Sequence, residues 1–305
     1  FSDVSWLGDV YKRQTYDIFD EYRYFEPGKD FHTFEYKNKR IAFTICEDLW
    51  NVGNDNPMYV CCPMDELMRE KPDFIVNISA SPFDYQQADF RISVLKENTK
   101  QYGLPIFYVN HVGAQTELIF DGGSLVLAGN GAVHDEMPYF KEAVNFYDLK
   151  NVEATTFAQE QTQPKEKIAL IHDALVLGVR NYFEKLGFKK AILGLSGGID
   201  SAVVQAIAAE ALGAENVRAV LMPSQFSTGH SVDDAKELAE NLGSSYDIIP
   251  VKNVYDAVLN ELQPLFGGRP FDVAEENIQA RIRALYVMGL SCLLYTSPSP
   301  RDIGE

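Results

Sequence analysis

Two stretches hold residues whose types and spacing could do chemistry. The first is Ser196-Gly197-Gly198-Ile199-Asp200-Ser201, which follows an apolar run over 191–195 and precedes a helical pattern. Adjacent glycines let backbone approach a phosphate with no Cβ in the way, and a helix N-terminus behind them offers unpaired N–H donors and a favourable dipole. Ser196 and Ser201 add hydroxyls. Asp200 would repel a phosphate directly, but it suits a Mg2+ that bridges to one. The plain alternative is a strand-to-helix turn in which the glycines make room and Asp200 or Ser201 caps the helix. Neither GxxxxGK[ST] nor GxGxxG occurs, so a Walker loop and a dinucleotide fingerprint are both unsupported.

The second stretch is Thr44-Ile45-Cys46-Glu47-Asp48-Leu49-Trp50, at the end of an apolar strand pattern. A lone Cys in such a place is often a small buried hydrophobe. Here two carboxylates follow at once and oppose thiol ionisation, so a nucleophilic Cys46 would need a nearby cation or base. Further along, Asn277 and Arg281 are four apart and share one helix face, with Ile278, Ile282 and Leu285 forming an opposing apolar stripe. His111 and the vicinal Cys61-Cys62 read as structural and inert, respectively.

Positioning these groups falls to two differently patterned regions. Strands are expected at 41–45, 74–78, 106–109 and 124–127, with a helix at 88–100 and a hairpin signal at Asn130-Gly131, giving a mix of strands and helices with some antiparallel pairing. Residues 152–165 are polar and read as a linker. After it the pattern alternates strictly: helix 167–186, strand 191–195, helix 201–212, strand 217–222, helix 232–242, strand 246–251, helix 254–262. Such alternation implies right-handed crossovers and a parallel sheet covered on both faces.

The composition bounds the rest. A net charge of −17 argues against broad capture of nucleic acid or anionic membrane, while leaving room for an anion held locally by backbone N–H groups. No run approaches the ~20 apolar residues that span a bilayer, and a cytoplasmic setting is expected. The four cysteines lack CxxC spacing, so neither a zinc site nor a disulfide scaffold is expected. The ends, 1–14 and 292–305, lack the pattern of their neighbours; VYKRQ and LYTSPSPRD resemble translated adapter remnants, and both ends are expected to be non-native.

LSGGIDS resembles the PP-loop of ATP pyrophosphatases, which cleave ATP between the α and β phosphates to adenylate a substrate. Within that superfamily, Leu221-Met222-Pro223-Ser224-Gln225-Phe226-Ser227-Thr228 and Glu275-Glu276-Asn277-Ile278-Gln279-Ala280-Arg281-Ile282-Arg283 resemble segments of NAD synthetases. The first half resembles the same family's nitrilase-type glutaminase domain: ICEDLW matches the nucleophile segment, NISASP the strand end beside the glutamine pocket, and TYDIFDEYRYF the stretch after the catalytic Lys. The resemblance therefore implies a glutamine-dependent NAD synthetase.

The expected fold is α/β: a truncated nitrilase-like α-β-β-α sandwich at 15–151, the 152–165 linker, and a truncated Rossmann-like PP-loop domain at 166–291. The resemblance implies Cys46 as nucleophile with Glu21 as an auxiliary carboxylate, and Ser81 and Gln87 as glutamine contacts. It implies Ser196, Gly197, Gly198, Ile199, Asp200, Ser201 and Met222 for ATP, Asp200 for Mg2+, and Asn277 and Arg281 for deamido-NAD. The family's catalytic Glu and Lys have no match here, so the 305 residues alone are expected to be inactive. A homo-oligomer is expected of the intact protein. Alternatives are another PP-loop amidotransferase, such as a GMP or asparagine synthetase, or a nucleotide-binding protein without chemistry.

Overall fold

The structure is a computed structural model, and it describes residues 15–16, 19–20, 30–52, 62–156, 166–267 and 272–295. The chain divides into two compact units, Phe1–Ala174 and Leu175–Glu305.

In the first unit the described strands begin with the short pair β1 (Thr15–Tyr16) and β2 (Phe19–Asp20). A six-stranded sheet follows, built from β3 (Phe34–Tyr36), β4 (Lys39–Ile45), β5 (Phe74–Ser79), β6 (Ile106–Asn110), β9 (Leu125–Leu127) and β10 (Val133–Glu136). Its order is β10-β9-β6-β5-β4-β3. The central β4, β5 and β6 run parallel, and the flanking pairs are antiparallel. The β9–β10 hairpin turns at Asn130-Gly131, as the sequence predicts.

Alternation decides what each sheet face does. Ala42, Ile75, Ile106, Tyr108, Leu125 and Leu127 point into a core with Met64 and Leu67 of α1 (Pro63–Leu67) and Ile92 and Leu95 of α2 (Gln87–Tyr102). On the opposite face Ile78 and Val109 are exposed. A separate hairpin, β7 (Val112–Gln115) and β8 (Leu118–Asp121), leaves the end of β6 and delivers Asp121 back to it. The short α3 (Leu149–Glu153) opens with Asp148 capping Lys150 N–H. Thr155 beyond it bonds to Asn130 and His134, and 157–165 lie outside the described residues.

Helix α4 (Lys167–Leu186) has the predicted bounds. In the second unit β11 (Ala191–Gly194), β12 (Val217–Leu221) and β13 (Ser245–Ile248) form a parallel sheet in sequential order. Right-handed crossovers in one direction put α5 (Ile199–Leu212) and α6 (Gly229–Leu242) on a common face. Successive residues Ala219 and Val220 are both fully buried, so the central strand is covered on both faces. Ala219 and Leu221 meet Ala235 and Ala239, the small residues that let α6 come close.

Helix α7 (Lys252–Phe266) and helix α8 (Val273–Tyr295) complete the unit around Val251, Tyr255 and Ile282. One expected stripe changes here. Ile278 and Ile282 face this core, but their companion is Tyr286, and Leu285 is 54% exposed. The buried face also takes in Gln279, a polar residue, so hydrophobicity alone aims the helix a quarter turn away.

Candidate functional site

Cys46 is the first residue after β4, with φ at +47°, a left-handed conformation that a non-glycine residue adopts at a cost. Its surroundings hold it there. Asp48 accepts the Ile45 N–H at 2.8 Å across the single 3-10 turn Cys46–Leu49. The Asn77 amide donates to Thr44 Oγ1 at 2.9 Å and to the Cys46 carbonyl at 3.2 Å. Asn98, fully buried, donates to the Leu49 carbonyl at 2.8 Å.

The thiol itself is pushed up to about 11, first by burial and further by the Glu47 charge. The Ser79 hydroxyl and the N–H groups of Glu47 and Ala80 bond to the sulfur and pull the other way. Of the two carboxylates expected to oppose ionisation, Glu47 does so, but burial outweighs it. At neutral pH this Cys is a thiol, and any nucleophilic role requires a base or cation beyond these groups.

Ser81 and Gln87 come together: Gln87 Nε2 donates to Ser81 Oγ at 3.3 Å. Ser81 is buried, and its N–H goes to Asn110 Oδ1 at 3.1 Å. Arg91, one turn beyond Gln87, is itself buried and paired with Asp121 at 2.6 Å, so it is occupied within the fold. Asn110 and Asp121 were not singled out in the sequence. His111 sits edge-to-face against Phe120 with ring centroids 4.7 Å apart, and Cys62 Sγ lies 3.5 Å from Tyr102 Oη. Glu21 and Cys61 lie outside the described residues.

In the second unit the loop after β11 is tied by its own serines. Ser201 Oγ donates to the Gly198 carbonyl at 2.9 Å and accepts the Ser196 N–H at 3.2 Å, and the two hydroxyls are 3.0 Å apart. The two glycines do different work. Gly197 has φ at +83°, and a Cβ there would lie 2.1 Å from the Ser231 carbonyl oxygen on α6. A Cβ on Gly198 would meet only Ser196 Oγ, at 3.4 Å, so this residue borders open space at the start of α5. Ile199 and Asp200 are exposed there.

Met222, at the end of β12, covers Gly194, whose added Cβ would touch its methyl at 2.9 Å. Arg283 Nε donates to the Met222 carbonyl at 3.3 Å. Beside this bond is a cavity of about 360 Å3 lined by Ser224, Phe226, Ser227, Glu276, Gln279 and Arg283. Asn277 and Arg281 are exposed one turn apart on the same helix. Among the described residues no cluster of three or more His, Cys, Asp or Glu side chains could hold a metal by itself. Nor is any helix among them long and apolar enough to cross a membrane.

Comparison with known proteins finds similarity along both units. Residues 171–293 match the NAD synthase family. Along 91% of its length the chain is 43% identical to a glutamine-dependent NAD(+) synthetase of Synechocystis sp., covering 50% of that protein. The corresponding protein of Acinetobacter baylyi is 37% identical over 90% of this chain and 49% of its own length. The chain thus spans about half the length of the curated relatives it matches. Among solved structures, the glutamine-dependent NAD+ synthetase of Acinetobacter baumannii in complex with ADP superposes with a TM-score of 0.83 at 37% identity, covering 92% of this chain and 52% of that one.

Proposed function

We place this chain in the glutamine-dependent NAD(+) synthetase family, and from that premise we infer that it serves a glutamine-hydrolysing, ATP-driven amidation of deamido-NAD in a longer protein. The observation that carries the reading is the pairing, in one chain, of a clamped cysteine turn on one unit with a serine- and glycine-built phosphate turn on the other. The domain bounds proposed are 15–151 and 166–291, joined by 152–165.

On the first unit, Cys46 Sγ attacks the side-chain amide carbon of glutamine, the C–N bond breaks, and ammonia leaves. Water then cleaves the thioester to glutamate and restores the thiol. Ser81 and Gln87 hold the substrate, and Glu21 assists as a carboxylate. The N–H groups of Glu47 and Ala80 favour the ionised sulfur and so support the thiolate that attacks. Because burial keeps the thiol protonated, a general base and a cation must complete the set, the role of the Glu and Lys that the family resemblance implies.

On the second unit, the turn from Ser196 to Ser201 receives the ATP phosphates, with Met222 beside the adenine. The nicotinate carboxylate of deamido-NAD, held by Asn277 and Arg281, displaces pyrophosphate from the α phosphorus. Ammonia then attacks the acyl-adenylate and releases AMP, giving NAD. Activation is required because a carboxylate is a poor electrophile. A Mg2+ shared between Asp200 and the phosphates would neutralise charge at the cleaved bond. The exposed single carboxylate fits that use, since Mg2+ commonly takes one or two protein carboxylates and fills its shell with phosphate and water. A homo-oligomer in the cytoplasm is the expected setting.

The test replaces Cys46 by Ala in the longer protein and follows NAD formation from two nitrogen sources. Glutamine should no longer support synthesis, while added ammonium should support it nearly as before. Equal loss with both sources would make Cys46 a structural residue and remove the first half of the reading.

A further inference from the structure

We propose that the buried Arg91–Asp121 ion pair is the positioning element of the Cys46 unit, fixing Asn110 and through it the backbone and hydroxyl of Ser81. The inference rests on the reading above, in which this unit binds and hydrolyses glutamine. Neither charged residue touches the substrate in this account; both act through Asn110.

The geometry is a continuous chain of short contacts. Both side chains of the pair are 2% exposed, and the guanidinium meets the carboxylate twice, at 2.6 Å and 3.1 Å. Arg91 also donates to the Gly122 carbonyl at 3.1 Å. The Asn110 amide donates to the same two acceptors, Asp121 Oδ1 at 3.1 Å and Gly122 O at 2.8 Å. With its nitrogen committed, the Asn110 oxygen is turned toward the Ser81 N–H, 3.1 Å away. Ser81 Oγ then receives Gln87 Nε2, and Gln87 is on α2, one turn before Arg91. The pair therefore ties the helix that carries Gln87 to the strand end beside Ser81.

Two arguments favour positioning over stability. A buried ion pair adds little net stability compared with apolar side chains of similar size, because desolvation of both charges offsets their attraction. What a doubly bonded, buried guanidinium supplies instead is orientation. A second branch points the same way. The Arg91 guanidinium lies over the Tyr108 ring, 5.9 Å from its centre, and both Tyr108 and Ser79 neighbour the Cys46 thiol. One ion pair thus backs both the thiol and the serine.

The experiment replaces both charges together, Arg91→Met with Asp121→Leu, in the longer protein, so that no single buried charge is stranded. Ammonia release is measured against glutamine concentration, alongside NAD formation from ammonium, which bypasses this unit. The expected result is a glutamine KM raised about tenfold, the loss of roughly one well-placed hydrogen bond, with ammonium-driven synthesis retained. Asn110→Ser, which leaves the ion pair intact but cuts its link to Ser81, should raise KM similarly and serves if the double variant does not fold. A wild-type KM in either folded variant overturns the inference. A wild-type protein that releases no ammonia from glutamine overturns the underlying reading, and the inference with it.

Discussion

The sharpest separable perturbation is Gly197→Ala. Alanine at a left-handed φ costs about 1–2 kcal/mol, and reduced freedom of the unfolded chain returns about 0.4–1 kcal/mol of that. At Gly197 a second cost is added, because the new methyl would lie 2.1 Å from the Ser231 carbonyl oxygen and 2.8 Å from its carbon. Those are backbone atoms at the start of α6, so relief requires the loop or the helix to move, a change worth about 1–3 kcal/mol by analogy with overpacked cores. The sum is about 1–5 kcal/mol, centred near 3. Gly187→Ala is the control: its φ is +72°, and an added Cβ has nothing within 4 Å, so only the first cost applies. Urea unfolding separates the units, because both tryptophans, Trp6 and Trp50, belong to the first. The far-UV signal should shift to lower urea for Gly197→Ala well beyond Gly187→Ala, while the tryptophan midpoint stays in place. Equal shifts for the two variants would refute the close approach to Ser231, and with it the reason the loop needs glycine at that position.

Two further outcomes follow from the same geometry. With its pKa pushed up to about 11, the Cys46 thiol becomes more reactive as pH rises toward that value, so at pH 8 iodoacetamide should modify it about 100-fold more slowly than an ordinary thiol, read by peptide mass mapping; ordinary reactivity at pH 8 would show that the sulfur is not held as described. Asp200→Asn should weaken deamido-NAD-dependent ATP–pyrophosphate exchange at limiting Mg2+, with partial recovery at high Mg2+ and unchanged ammonia release; exchange unaffected at limiting Mg2+ would remove the metal role.

What the sequence made legible was local, and what it hid was not. Helix α4 could be bounded to the residue because a polar stretch precedes it, a glycine follows it, and an apolar period runs between them. In the second unit the central β12 was legible because burial on both faces gives it a mostly apolar run, whereas β13, with Asp247 inside it and both ends exposed, stops at Ile248 and not at the expected 251. The Asn110–Asp121–Arg91 network was not legible, because its members lie up to 31 residues from their partners and each looks ordinary alone. An arginine in the first turns of a helix reads as a solvated charge, and only the arrival of the β7–β8 hairpin turns it into a buried one.

The same distinction explains the reading that changed and the one that proved secondary. Leu285 was assigned to the core of α8 by its apolar side chain, yet the buried face is centred nearer Gln279, Ile282 and Tyr286. At about 100° per residue, Leu285 lies roughly a quarter turn from that centre. The inward glutamine lies between Tyr255 of the core and the cavity beside Met222, so its polar side chain has a use on the buried face. Likewise the carboxylates next to Cys46 were visible as neighbours in sequence, whereas the larger influence on the thiol is the protein that closes around it. Where a residue's chemistry depends on what it touches in sequence, the sequence suffices; where it depends on what excludes water from it, the fold has to be known first.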